Sequence, residues 1–542
     1  MRILIADKLA PEGLAYLESQ EGVDVEVRLG LTPDELPQAL RSAEGLVVRS
    51  GVRVTGDALR AAFAQPGARL KAIARAGVGV DNIDLDAATE FGVMVMNSAS
   101  ASTITTAEHA FALLMAMARN IPQGDAAMRS GGWDRNKHVG VQLHGRTLGV
   151  VGLGRIGQTV AERALAFGMD VLGYDPYIKS DHVLDGRVPM ATDWHDFLSR
   201  IDAVSFHVPL NDHTRNMLGR EAFAHTRPHL LIINAARGGV VDEEHLPTAL
   251  DEGRCAGAAL DVFTTEPPPA DSPLRTHPKI ICTPHLGAST SEAQEAVSVD
   301  ACRAIVEYLR GEGVRGAVNA GGVRFDLSPR QRAYIDLATR MARLAVALCD
   351  APPATLSIHA VGEELTGATD TLGRIALAET LSAAMDDPVN LVNASVVARR
   401  RGLEFHNTHE TSDDGAPARL AIEIETGRGV QRAEGVVLQD GLPRLRSIDG
   451  CAVDLVPTGH VVALRNRDEP GVIGRVGAVF GGAGVNIADM TICRRKPGEG
   501  EAPSALMLIR LDAPAPREVL DALRGLPALL GVASVELGPL PE

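Results

Sequence analysis

Four side chains have the right types to share one acid–base and hydride-transfer task. They are Arg237 in "NAARGG", Asp261 and Glu266 in "LDVFTTEPP", and His285 in "TPHLGAST". A histidine side chain ordinarily titrates near pH 6.5, so it takes and returns protons at neutral pH. A neighbouring carboxylate stabilises the imidazolium. An arginine grips a carboxylate through two parallel hydrogen bonds. Oxidising an alcohol next to an acid group needs a base, an anchor for the acid and a hydride acceptor. The set therefore points to a 2-hydroxy acid as substrate. Taken singly, each residue has a plainer role: His285 as loop filler, Arg237 as a helix cap or surface ion pair.

What positions them decides the matter. Each follows a short apolar stretch that reads as a strand: "HLLIINAARGG" (229–239), "CAGAALDVF" (255–263) and "KIICTPH" (279–285). In a doubly wound sheet, ligands bind beyond the carboxyl ends of the strands, so all four residues converge on one edge. The hydride acceptor has a site upstream. "VVGLGRIG" places Gly152, Gly154 and Gly157 as G-x-G-x-x-G, after a strand and before a helix. The first glycine makes the turn and the second admits a pyrophosphate. The third lets helix pack on strand, with the helix N-terminus facing the anion. Asp175 ends the next strand in "VLGYDP". A carboxylate there holds ribose hydroxyls and repels a 2′-phosphate, which favours NAD over NADP.

The elements around these motifs predict an α/β fold with two doubly wound Rossmann-like domains. Residues 1–97 alternate strands with helices, the strands lying at 2–7, 23–28, 45–50, 71–77 and 93–97. Such alternation builds a parallel sheet. Long helices are expected over 103–120 and 296–312. From about 311 the chain turns glycine-rich, as a linker would. The region 317–457 carries a helix over 330–349 and hairpin patterns, an α+β texture. The last region, 460–537, reads βαββαβ.

Composition sets the limits. The 542 residues suffice for three or four domains. Apolar residues make up 45% and aromatic residues 3%, a mix suited to close α/β layers. The formal net charge is −16, which argues against a nucleic-acid partner. It also requires any anionic substrate to find local arginines. Six cysteines show no C-x-x-C pair and no metal-ligand spacing, so reduced thiols and no metal are expected. No signal peptide and no long apolar run is read, so a cytoplasmic chain without a membrane partner is expected.

"GLGRIG", "NAARGGVVDEEHL", "GAALDVFTTEPP" and "TPHLGAST" together resemble the D-isomer-specific 2-hydroxyacid dehydrogenase family. "VVRSGVRVT", "RAGVGVDNIDLDAAT", "WDRNKHVG" and "HLGASTSEAQEAV" narrow the resemblance to members acting on 3-phosphoglycerate and 3-phosphohydroxypyruvate with NAD, the first step toward L-serine. The resemblance implies that Arg237, Glu266 and His285 are catalytic. It implies NAD contacts from Arg155, Ile156, Asp175, Val208, Pro209, Ala235, Ala236, Asp261, Gly287 and Ala288, besides the three glycines, Arg237 and His285. It divides the chain into a substrate domain (1–97 with 287–317), a nucleotide domain (98–286), an intervening domain (318–457) and an ACT domain (460–537), which is ferredoxin-like. Substrate contacts are expected from Arg49, Ser50, Arg53, Arg75 and Gly77, and from Arg135 reaching over from a neighbouring subunit. Asn466, Asp468, Asn486 and Ile487 align with amino-acid effector positions, with L-serine as the implied effector and a homotetramer as the implied assembly. For the intervening domain, Arg446 and Arg465 are candidate anion contacts, with its ligand left open. Two rival readings stay open: a hydroxypyruvate, glyoxylate or D-lactate dehydrogenase, and a dinucleotide sensor without activity.

Overall fold

Short Ile-, Val- and Ala-rich stretches become parallel strands buried on both faces, as sheets covered by helices require. A computed structural model describes residues 1–178, 183–383, 385, 389–411, 417–495 and 502–540. Strands β1 (Arg2–Ile5), β2 (Asp24–Val27), β3 (Gly45–Val48), β4 (Ala72–Arg75) and β5 (Met94–Asn97) form a parallel sheet in the order β2-β1-β3-β4-β5. A second parallel sheet contains β6 (Thr147–Val151), β7 (Asp170–Tyr174), β8 (Ala203–Phe206), β9 (Leu231–Asn234), β10 (Gly257–Leu260) and β11 (Ile280–Cys282). Its order is β11-β10-β9-β8-β6-β7. The order reverses beside β6, so the glycine turn sits where such sheets bind ligands.

The chain passes from the first sheet to the second through the helix Thr103–Ala118. It returns through the helix Ser291–Arg310, which packs on Pro11–Glu18 and β4. The Thr290 side chain caps that returning helix by accepting the Ala293 N–H, so the "TPHLGAST" loop ends as a helix start. Residues 317–325 stay with the first sheet. Ala317 bridges Met96, Asn319 Oδ1 accepts the Val95 N–H at 2.8 Å, and Val323 and Phe325 pack on the core there. The chain thus leaves this body some residues later than its glycine content suggested. Backbone pairing to β5, invisible in composition, holds it.

A third core starts at Leu327. Here β12 (Pro353–Val361), β13 (Glu404–Glu410), β14 (Arg419–Thr426), β15 (Gly429–Val437), β16 (Pro443–Ile448) and β17 (Cys451–Leu455) make a sheet in the order β13-β12-β14-β15-β16-β17. The helices Pro329–Ala347 and Thr369–Ser382 cover one face. The fourth unit has β18 (His460–Arg467), β19 (Ile487–Arg495), β20 (Ser504–Leu511) and β21 (Leu529–Glu536), ordered β19-β20-β18-β21. One face of this sheet, through Val461, Ala463, Leu506 and Leu508, joins the third core. Two arginines reinforce that junction. Arg340 is 3% exposed, pairs with Asp336 and donates to the carbonyls of Pro457, Leu537 and Pro539 at 2.8, 2.8 and 2.6 Å. Arg465 pairs with Asp350 at 3.1 Å and Asp449 at 3.4 Å. No helix among the described residues is long and apolar enough to cross a membrane.

Candidate active site

The strand ends of β9, β10 and β11 lie side by side, since β10 pairs with both neighbours. Arg237, Glu266 and His285 follow them. His285 Nδ1 lies 2.8 Å from Glu266 Oε2, and Glu266 Oε1 accepts the Phe263 N–H at 3.1 Å. The carboxylate is thus held at both oxygens. Its hold on Nδ1 makes that nitrogen the donor and leaves Nε2 facing outward, open to a ligand. His285 itself adopts φ +56°, an uncommon left-handed conformation for a non-glycine residue.

Asp261 maintains that conformation from behind. It is fully buried, and it accepts the N–H groups of Leu286 and Gly287 at 2.8 Å each. It also accepts the Thr283 hydroxyl at 2.6 Å and faces His109 Nε2 at 3.1 Å. Burial alone would raise its pKa, but the bonds from His109, Thr283 and the Leu286 amide outweigh this and lower it. Its oxygens serve the loop, and none of its surface is exposed. His109, on the long apolar helix, was not singled out in the sequence. A polar residue on an otherwise apolar face was the available signal.

The cofactor cradle has the shape the glycines predict. Gly152 has φ +86°, and a Cβ there would press on the His207 carbonyl at 2.6 Å. A Cβ on Gly157 would lie 1.9 Å from the Gly152 oxygen, while one on Gly154 would meet nothing within 4 Å. The open space beside Gly154, at the N-terminus of the helix Arg155–Ala166, fits a pyrophosphate. Arg155 is exposed there and Ile156 is half-buried. Asp175 directly follows β7, its carboxylate accepting the Leu153 N–H at 2.9 Å and the Tyr177 N–H at 3.0 Å. It braces the glycine turn while keeping a partly exposed edge. Val208, Pro209 and Ala236 line the loops after β8 and β9 with part of their surface open, as does Ala288, whereas Ala235 and Gly287 are buried and offer little beyond backbone. These residues fit a dinucleotide.

Facing this edge is a cluster of cations from the first sheet. Arg237 Nε bonds Asp81 at 3.0 Å, reaching across to the other domain. A Cβ on Gly79 would lie 2.0 Å from Arg237 Nη2, and one on Gly77 would lie 1.6 Å from Arg75 Nη1, so only glycine leaves room for the two guanidiniums. Burial first, then the charges of Arg237 and Arg49, pull the Arg75 guanidinium down to about 10. Nε of Arg75 is buried without a hydrogen-bond partner. Asp7 accepts the Arg49 N–H at 2.7 Å and the Val52 N–H at 3.1 Å, which shapes the loop carrying Arg49, Ser50 and Arg53. Ser50 and Arg53 are exposed. Arg135 lies elsewhere, in an exposed turn Arg135–His138 of the second body, and has no ion-pair partner among the described residues.

The fourth unit separates the expected effector residues into two sets. Both β18 and β19 run antiparallel to β20; Asn466 lies opposite Ala505, whereas Ile487 lies opposite Leu511. Six residue steps of about 3.3 Å put the two sets roughly 20 Å apart within one chain. At one end Asn466 is 2% exposed with Oδ1 unpartnered, and Asp468 pairs with Arg494 at 3.2 Å. At the other, Asn486 donates to Asp512 at 2.6 Å, beside Ile487. In the third unit, Arg446 lines an open hollow with His359, Arg419 and Arg432. Arg465 is engaged by Asp350 and Asp449 instead.

This sheet pair, with a glycine cradle at one strand end and a His–Glu pair opposite an arginine, has the form of a nicotinamide-dependent hydroxyacid dehydrogenase. Residues 111–287 match the D-isomer specific 2-hydroxyacid dehydrogenase NAD binding domain. Residues 330–449 match the D-3-phosphoglycerate dehydrogenase intervening domain, and 460–528 the ACT domain. The D-3-phosphoglycerate dehydrogenase of Methanocaldococcus jannaschii is 39% identical over 99% of this chain and 100% of its own length. That of Bacillus subtilis is 35% identical over 99% of both. The TT0316 protein of Thermus thermophilus superposes with a TM-score of 0.52 at 35% identity, covering 58% of this chain and 98% of its own. The chain belongs to the D-3-phosphoglycerate dehydrogenase family, within the D-isomer specific 2-hydroxyacid dehydrogenases.

Proposed function

We propose that this chain oxidises 3-phospho-D-glycerate to 3-phosphohydroxypyruvate, opening L-serine biosynthesis. The observation that carries the reading is the His285–Glu266 contact of 2.8 Å at strand ends flanked by Arg237. NAD, when bound, supplies the hydride acceptor. Nε2 of His285 takes the proton from the C2 hydroxyl, and Glu266 stabilises the imidazolium that results. Arg237 holds the substrate carboxylate and orients C2. Arg75 and Arg49, close enough to repel each other despite Asp81 and Asp7 nearby, supply the phosphate subsite, with Arg53 at its rim and Ser50 and Gly77 beside it. In water-excluding closure these charges act more strongly.

The assembly proposed is a homotetramer in the cytoplasm. Ile121, Met128, Trp133 and Val139 expose 55, 54, 76 and 76% of their surface along one segment, an apolar face that another copy would cover and that would carry Arg135 to a neighbour's site. L-serine is the proposed effector of the ACT unit. Its site needs two copies, since the two residue sets lie at opposite ends of one sheet.

The test follows NADH consumption with phosphohydroxypyruvate and with hydroxypyruvate. A kcat/KM at least about tenfold higher for the phosphorylated substrate is expected, the effect of roughly 1.4 kcal/mol of phosphate recognition. Equal values would make the enzyme another hydroxyacid dehydrogenase, and no turnover of either would make it a sensor.

A further inference from the structure

The two sheets at the C-terminal end meet through their edge strands. β17 pairs only with β16 and β19 only with β20, and these two edges lie against each other. Each edge carries one cysteine at the contact. Cys451 Sγ lies 3.9 Å from the Cys493 carbonyl oxygen, so the two cysteines are neighbours across the seam. The residues are far apart in sequence, in different domains, and the fold alone brings them together.

We propose that Cys451 and Cys493 form a reversible disulfide that couples the ACT sheet to the intervening sheet. The surroundings hold the pair in place. Arg465 anchors β18 to Asp449, two residues before Cys451, and Arg340 ties the end of the chain to the intervening helix. Bond formation requires the sulfurs to close to about 2 Å, a local adjustment for cysteines that already face each other across the strand edges. Cys493 is half-buried and flanked by Arg494 and Arg495, whereas Cys451 is 3% exposed. Burial, then the neighbouring Cys493 thiol, pushes the Cys451 thiol up to about 12. Cys493 therefore reacts first with a peroxide. Its sulfur takes one oxygen to give a sulfenic acid and one water leaves. The Cys451 sulfur then displaces the sulfenic hydroxyl, which departs with the Cys451 proton as a second water. The two thiols lose two electrons and hydrogen peroxide gains them. Transient bonds of this kind are what reducing compartments permit. The bond would pin the strand that begins at Ile487 to the intervening domain.

The test oxidises the reduced full-length protein with graded hydrogen peroxide, alkylates free thiols and digests with trypsin without reductant. Expected is a linked pair of peptides, 447–465 with 476–494, formed at lower dose than any other thiol loss and released by dithiothreitol. Oxidised wild type should also show a higher thermal midpoint for the C-terminal unit, reversed on reduction. Cys493→Ser should abolish both responses; being half-buried, it keeps the test valid even if Cys451→Ser fails to fold. Cys493 passing to sulfinic acid while Cys451 remains alkylatable would overturn the proposal. So would a cross-link confined to pairs of chains.

Discussion

Glu266 and His285 meet at 2.8 Å although they sit on loops after different strands, and both oxygens of the carboxylate are engaged. The pair behaves as one unit. His285→Gln should lower kcat by about 10²- to 10⁴-fold, the usual weight of a general acid–base, with a far smaller effect on NAD affinity. Glu266→Gln should lose less. The double variant should be no slower than His285→Gln alone, because the carboxylate acts only through the imidazole. Steady-state rates and NAD titrations check this; additive losses would separate the two roles.

Asp175 bonds the Leu153 amide in the glycine turn while part of its carboxylate stays exposed. Asp175→Ala should therefore weaken NAD binding by about tenfold or more, and raise NADPH use relative to NADH. Fluorescence titration of both cofactors measures it. A variant that gains NADPH without losing NADH would show that the carboxylate does not hold the ribose.

Arg75 is crowded by Arg237 and Arg49, whose repulsion outweighs the pull of Asp81 and Asp7. Replacing it with methionine should raise KM for phosphohydroxypyruvate by about 10- to 100-fold, the range of a lost charge-assisted hydrogen bond. KM for hydroxypyruvate should change far less. The thermal midpoint should hold or rise, since the cation costs desolvation in the empty site.

Asp261 has a folded-state pKa below its ordinary value of 3.8. Its stabilisation is therefore fully present above that value and is lost as pH falls through the lowered one. Asp261→Asn should destabilise the protein at neutral pH by about 1–3 kcal/mol, since a buried amide cannot accept all of those donors. The gap from wild type should narrow below pH 3.8, as followed by chemical denaturation. A constant gap across that range would contradict the assignment.

Local chemistry made much of the site legible. Glycine spacing announces a turn because Gly157 must touch Gly152, and apolar stretches ending in Arg237 or His285 announce strand ends. What supports the site from a distance was not legible. Asp7, Asp81 and His109 act across sequence separations that only folding closes, and each has the composition of an ordinary surface or helix residue. Asp261 was found, but its hold on the Leu286 and Gly287 amides was not, because sequence places a carboxylate at a strand end without saying which way it faces. The distance between Asn466 and Ile487 was hidden for a similar reason. It follows from strand direction, not from the motif.

The knot around Arg340 has a practical corollary for anyone cutting or tagging this chain. Deletion from residue 537 onward would strip a buried cation of the Leu537, Gly538 and Pro539 carbonyls and leave it only Asp336 and the Pro457 carbonyl. A clone shortened there should misbehave through the intervening helix, far from the missing residues, so loss of effector response in such a clone would report damaged architecture and not a vacated regulatory site.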